Sequence, residues 1–138
     1  MINILKKVPL FSSLKDEELE AINRASFTRN YLKDQMILLA DEEGDTLFII
    51  IHGKVKITSF AENGKEVIFS IMSEGDFFGD MSLLDGKPRS ASVISIEDSA
   101  LCLLRREEYN HLIEKHPGIA LKLRQEITSR LRRADERM

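Results

Sequence analysis

Between about residue 25 and residue 106 the chain is written in short apolar runs separated by turn residues. Met36–Leu39, Thr46–His52, Lys54–Phe60, Glu66–Met72, Ser92–Ile96 and Ala100–Leu104 have the length and composition of strands. The sequence Ala61-Glu62-Asn63-Gly64-Lys65-Glu66 between two of these runs predicts a hairpin, with Asn63 and Gly64 taking the positive φ of a tight turn. His52-Gly53-Lys54 and Glu74-Gly75-Asp76 punctuate the pattern in the same way. Several short strands at close spacing predict an antiparallel sandwich or barrel.

Helical patterns flank this block. Ser13 is placed to cap a short amphipathic helix, with Asp16 and Glu17 in its first turn and Leu14, Leu19 and Ile22 on its apolar side. After Arg105 the period is helical again: one helix runs to the residues before Pro117, and Pro117 opens a second that continues to the end of the chain. On that last helix Leu123, Ile127, Leu131, Ala134 and Met138 are spaced 4, 4, 3 and 4, and the last four fit a heptad seam. Spacing alone leaves open whether the seam packs on its own barrel or on a second copy. The Arg132–Met138 stretch carries no stop signal, so the helix is expected to continue in a longer protein.

Composition narrows the function classes. The 138 residues suit one domain, and 43% hydrophobic with 31% charged is an ordinary globular balance. No apolar run approaches the roughly 18 residues of a membrane span, no signal peptide is recognisable, and the expected location is cytoplasmic. The net charge of −3 divides unevenly: residues 1–98 carry 11 basic and 17 acidic side chains, residues 99–138 carry 9 and 6. An acidic body is a poor nucleic-acid surface. The basic tail reads as a solvated helix face.

The densest chemistry lies in Phe77–Val93. Arg89 is a permanent cation whose donor fork matches phosphate or carboxylate. Ser90 and Ser92 add hydroxyls on one face of a strand. Residues 79–84 read as one helical turn opened by Gly79, with N–H groups facing an anion and Asp80 suited to sugar hydroxyls. The plain alternative is a turn in which Arg89 pairs with Asp80 or Asp85.

Phe78-Gly79-Asp80-Met81-Ser82-Leu83 followed by Arg89-Ser90-Ala91-Ser92-Val93 resembles the phosphate-binding cassette of cyclic-nucleotide-binding domains. Gly44-Asp45-Thr46-Leu47-Phe48 through Ile57 is similar to that family's other signature. The resemblance covers essentially the whole chain and is nearest to sensor domains of CRP/FNR-type bacterial transcription regulators. It implies a mainly β double-stranded β-helix, or jelly roll, over about 25–106. A short N-terminal helix, a short cassette helix and a long C-terminal dimerisation helix would flank it, within one sensor domain of 1–138. Arg89 and Ser90 would hold the phosphate of cyclic AMP or cyclic GMP. Phe78, Gly79, Met81, Ser82 and Ala91 would line the cassette, and Asp80 would take the ribose, where the family usually has glutamate. Base contacts would fall at Arg130 and Ala134 on the long helix, and the same helix would make a homodimer through Leu123, Ile127, Leu131, Ala134 and Met138. DNA would be met only through a further domain absent from these residues. Asp41 stands where the family usually has a turn glycine. The alternatives are a jelly-roll dimerisation scaffold without ligand, or a cyclic-nucleotide sensor from another kind of signalling protein.

No cofactor, metal or catalytic residue is expected. One cysteine, Cys102, cannot hold an iron–sulfur cluster, and its apolar strand setting marks a core residue. His111 and His116, five apart on a helix, do not share a metal face. His52 lies at a strand end. No His-x-His pair and no nucleophile–base set is present, so no enzyme activity is expected.

Overall fold

The computed structural model describes residues 5–40, 44–85 and 91–136, side chains of 85 and 134–136 excepted. Its elements are α1 (Asp16–Ala25), β1 (Phe27–Tyr31), β2 (Met36–Leu38), β3 (Thr46–His52), β4 (Lys54–Phe60), β5 (Glu66–Ser73) and β6 (Phe77–Phe78). They continue with α2 (Asp80–Asp85), β7 (Ser92–Ser95), β8 (Ser99–Arg105), α3 (Arg106–Lys115) and α4 (Pro117–Glu136). The chain divides into a β unit, 26–106, and a helical unit formed by 1–25 and 107–138.

The β unit holds two four-stranded antiparallel sheets, ordered β1-β8-β3-β6 and β2-β7-β4-β5. This is the jelly-roll sandwich that the strand pattern and the resemblance predicted. Its core joins Tyr31, Phe48, Ile50, Phe78, Leu101 and Leu103 of the first sheet to Val55 and Val93 of the second. The alternate residues Leu47, Ile49, Cys102 and Leu104 are buried as well, so β3 and β8 are apolar on both faces.

Two strands escape the apolar pattern. β1 has only Phe27 and Tyr31 as apolar residues, and β6 is two residues long. Both are defined by partners: β1 pairs with β8 from Phe27↔Leu103 to Tyr31↔Ser99, and β6 pairs with β3 at Phe48↔Phe78.

Two local expectations are corrected. Positive φ in the β4–β5 turn occurs at Gly64 alone, not at Asn63. Gly64 N–H donates to the Ala61 carbonyl at 2.9 Å, and Asn63 Oδ1 accepts from Lys65 N–H at 3.1 Å. That five-residue loop does not need the two-residue turn. At α1 the cap is not Ser13: Lys15 contributes its carbonyl to Leu19 N–H, and Glu18 Oε1 accepts from Lys15 N–H at 2.9 Å. This is the reaching-back half of a capping box. The other Glu18 oxygen lies 2.6 Å from where a Cβ on Gly118 would stand, which favours glycine in the first turn of α4.

Candidate functional site

The predicted cassette is mounted on the edge of the first sheet. β6 is held against β3, and the Phe78 ring stacks on Phe48 with centroids 5.0 Å apart and planes 5° from parallel. Gly79 then takes φ 82°, a conformation costly for a side-chain-bearing residue, and turns the chain directly into α2. Leu83 N–H closes the first turn on the Gly79 carbonyl at 3.1 Å.

This geometry sorts the predicted residues. Asp80 and Ser82 are buried at 8% and 6% exposure, and each has an interaction partner within the protein. Leu83 fixes α2 from below, while Met81 and Leu84 lie on its exposed side. The expectation for Phe78 needs correcting. Its side chain is committed to the core, so only its backbone is left to meet a ligand. Ala91 is half-buried ahead of β7. Arg89 and Ser90 lie outside the described residues, as does Asp41.

Ser92 also differs from expectation. Its hydroxyl is buried and accepts from Ala40 N–H at 2.9 Å. Ser95, at the other end of β7, is fully buried and accepts from Gln35 N–H at 3.0 Å. The two serines therefore clasp both ends of the three-residue strand β2. Their role is to hold the strand that follows the cassette.

Arg130 and Ala134 both lie on α4, in the helical unit. Arg130 is half-buried and has a partner within the protein; the side chain of Ala134 and all of Met138 fall outside the description. The other expected seam residues separate: Leu123 and Ile127 are 3% and 7% exposed in the single chain, Leu131 is 57% exposed. Two of the five positions thus have almost no surface left for a partner.

Sequence reading missed one polar cluster, on the β4–β5 hairpin. Glu66 accepts from Lys56 Nζ at 2.9 Å and 3.0 Å and from Thr58 Oγ1 at 2.9 Å; Thr58 is fully buried. The Lys56 bond, then the Thr58 bond, hold the Glu66 carboxyl below its usual value. The signal was Lys56 and Thr58 two apart on a strand facing a carboxylate across a short loop. Elsewhere, burial pushes the Cys102 thiol up, against a smaller opposing pull from its Ser26 hydrogen bond. Burial does the same to the Tyr109 hydroxyl. Among the described residues no three His, Cys, Asp or Glu side chains converge as a metal site, and no helix is long and apolar enough to cross a membrane.

Comparison with known families decides what this arrangement is. The cyclic nucleotide-binding domain family matches residues 28–116, which run from β1 through α3 and contain the whole cassette. The chain belongs to that family.

Its relatives include regulators of CRP type. It is 35% identical over 131 residues to the cyclic AMP receptor protein of Thermus thermophilus, covering 95% of this chain and 61% of that protein. It is 29% identical over 138 residues to a CRP-like cAMP-activated global transcriptional regulator of Mycobacterium tuberculosis, covering 100% and 62%. Among solved structures, the Thermus thermophilus catabolite activator protein superposes with a TM-score of 0.84 at 35% identity, over 94% of this chain and 61% of that one. The chain thus spans about three-fifths of the length of these relatives.

Proposed function

We propose that this chain is the ligand-sensing part of a cytoplasmic, non-enzymatic CRP-type transcription regulator, and that its ligand is cyclic AMP or cyclic GMP. The observation carrying the reading is the mount at Gly79. A positive-φ glycine leads into a helical turn whose Asp80 and Ser82 are buried, immediately after a strand locked by the Phe48–Phe78 stack. In sequence, Arg89 and Ser90 follow within a dozen residues. Arg89 is assigned to the cyclic phosphate, as a charge-assisted fork, with Ser90 beside it and Asp80 directed to the ribose. Arg130 and Ala134 are assigned to the base end. Contact with DNA is assigned to residues outside these 138, in keeping with the acidic balance of residues 1–98. Calorimetric titration with each nucleotide tests the ligand. Heat with at least one, lost in Arg89→Ala, is the expected result. No heat with either would leave the jelly-roll scaffold as the better reading.

Self-association through α4 is proposed with a shifted register. Since Leu123 and Ile127 are buried within the chain, the exposed large apolar positions of α4 among the described residues are Leu121, 47% exposed, and Leu131. With Arg124 and Thr128 between them, these fall at spacings of 3, 4 and 3, which is a second heptad stripe on the same helix. Ligand binding would then bias how two such helices meet. In sedimentation, Leu121→Asp with Leu131→Asp should give a folded monomer, whereas Ile127→Asp should unfold the chain. A persisting dimer in the first variant would exclude the shifted seam.

A further inference from the structure

Asn63-Gly64 is the single asparagine–glycine pair of the sequence, and it stands exposed at the tip of the β4–β5 hairpin. Gly64 takes φ 85°, and beyond its chain neighbours no described atom lies within 4 Å of where a Cβ on it would stand. The loop is tied by Ala61 N–H to the Lys65 carbonyl at 2.8 Å and by Gly64 N–H to the Ala61 carbonyl at 2.9 Å. Lys65 N–H donates to Asn63 Oδ1 at 3.1 Å. The other asparagines among the described residues are set differently. Asn23 and Asn110 lie within α1 and α3, and Asn30 is paired with β8; each precedes a bulky residue, Arg24, His111 and Tyr31.

This setting favours one intramolecular reaction. Joining the Gly64 nitrogen to Asn63 Cγ closes a five-membered ring, and glycine opposes closure least because it has no side chain beside the attacking nitrogen. Negative charge develops on Oδ1 as the nitrogen adds, and Lys65 N–H already donates to that oxygen. The Gly64 N–H bond to Ala61 must open first, which costs little in a loop whose residues are all exposed. We propose that the β4–β5 turn is a self-modifying site, at which Asn63 cyclises onto Gly64 and is hydrolysed to aspartate and isoaspartate. The N–Cγ bond forms, the Cγ–Nδ2 bond breaks, and Nδ2 leaves as ammonia with the proton given up by the Gly64 nitrogen. Water then opens the ring at either carbonyl. Opening at Cγ gives aspartate on the original backbone; opening at the main-chain carbonyl gives isoaspartate, whose backbone runs through Cβ and Cγ. Both products add a negative charge to a loop that already carries Glu62. The isoaspartyl form also lengthens the loop backbone by one atom, which breaks the spacing of the Ala61–Gly64 and Ala61–Lys65 bonds and opens the turn. The reaction uses no residue of the nucleotide cassette, and the proposal stands whether or not a nucleotide is bound.

The test holds the full chain in mildly alkaline buffer, samples it over time, and weighs its tryptic peptides. The Ile57–Lys65 peptide should gain the mass difference between an amide and an acid, and separate into two products of equal mass, aspartyl and isoaspartyl. Conversion at Asn63 should run roughly tenfold or more ahead of Asn23, Asn30 and Asn110, and Gly64→Ala should slow it by a similar factor. In 15N-labelled chain, amide exchange at Ala61 and Gly64 should quicken in the isoaspartyl form. It should stay unchanged in Asn63→Asp, which has the charge without the added backbone atom. Conversion at Asn63 no faster than at the other three asparagines overturns the site, as does an undiminished rate in Gly64→Ala. Aspartate as the sole product overturns the cyclic route, since direct hydrolysis of the side chain makes no isoaspartate. Unchanged exchange at Ala61 and Gly64 in the isoaspartyl chain overturns the opening of the turn.

Discussion

β3 and β5 read alike as sequences, Thr-Leu-Phe-Ile-Ile-Ile-His against Glu-Val-Ile-Phe-Ser-Ile-Met-Ser, and end in opposite places. β3 sits between β8 and β6 and buries Leu47 through Ile50. β5 is the outer strand of the second sheet, and Val67, Ile68, Phe69 and Ile71 are each more than half exposed. The difference comes from neighbours rather than composition. β3 has a partner on both sides, and its alternate faces are both covered. β5 has β4 alone, and the pairing is interrupted: Ile57 faces Ser70 while Thr58 faces Ile68, so Phe69 is the extra residue of a bulge. What ties β5 to the sheet at its start is polar, through Glu66, Lys56 and Thr58. An apolar run therefore marks a strand without saying whether that strand is central or peripheral.

The largest effect should come from the central strand. Ile50 is fully buried in the sandwich core, and Ile50→Ala should cost about 2–5 kcal/mol through lost burial and the cavity left behind. Urea unfolding followed by circular dichroism measures it. A cost below about 1 kcal/mol would mean that β3 packs no more firmly than β5, and the contrast would fail.

The same neighbour effect explains what could be read in advance. β3 and β8 were legible because burial on both faces demands an unbroken apolar run. β1 was not, since Thr28, Arg29 and Asn30 are exposed at an edge and needed no apolar pattern. β6 was too short to show a pattern at all. At the cassette, Gly79 and Asp80 were legible because a left-handed turn into a helix restricts the residue types allowed. Ser92 was misread because alternation gives the face of a side chain but not whether Ala40 N–H waits there. The α4 seam was ambiguous for a geometric reason. Leu131 belongs to both possible stripes, and only the burial of Leu123 and Ile127 separates them.

A middle-sized effect is expected where β5 is tied down. The Thr58 hydroxyl is buried and reaches both Glu66 Oε2 and the Val67 carbonyl, at 2.9 Å and 3.0 Å. Thr58→Val keeps the shape and removes the donor, and should cost about 1–2 kcal/mol. The partner carboxylate adds a pH signature. Because folding lowers the Glu66 value, its contribution is complete above the unfolded value of about 4.3 and is lost as pH falls through the lower folded value. The stability gap between wild type and Glu66→Gln should therefore be constant from neutrality to about pH 5 and close below that. A gap that widens on acidification would mean that the carboxylate is not held by Lys56 and Thr58.

The smallest effect should fall on Phe69, although it is the largest apolar side chain of β5. At 62% exposure it has little left to lose, and as the bulged residue it faces no partner on β4. Phe69→Thr keeps a strand-favouring residue there, so the change in unfolding free energy should stay within about 0.5 kcal/mol. The measurement is most informative when repeated across protein concentrations. A small, concentration-independent change means that β5 is exposed in the chain as it stands in solution. A loss comparable to Ile50→Ala would mean that something covers Phe69 there. A cost that grows with concentration would identify the cover as a second copy, since only binding to the folded state couples stability to concentration in that way. Either result would make β5 a central strand by other means, and erase the contrast with β3.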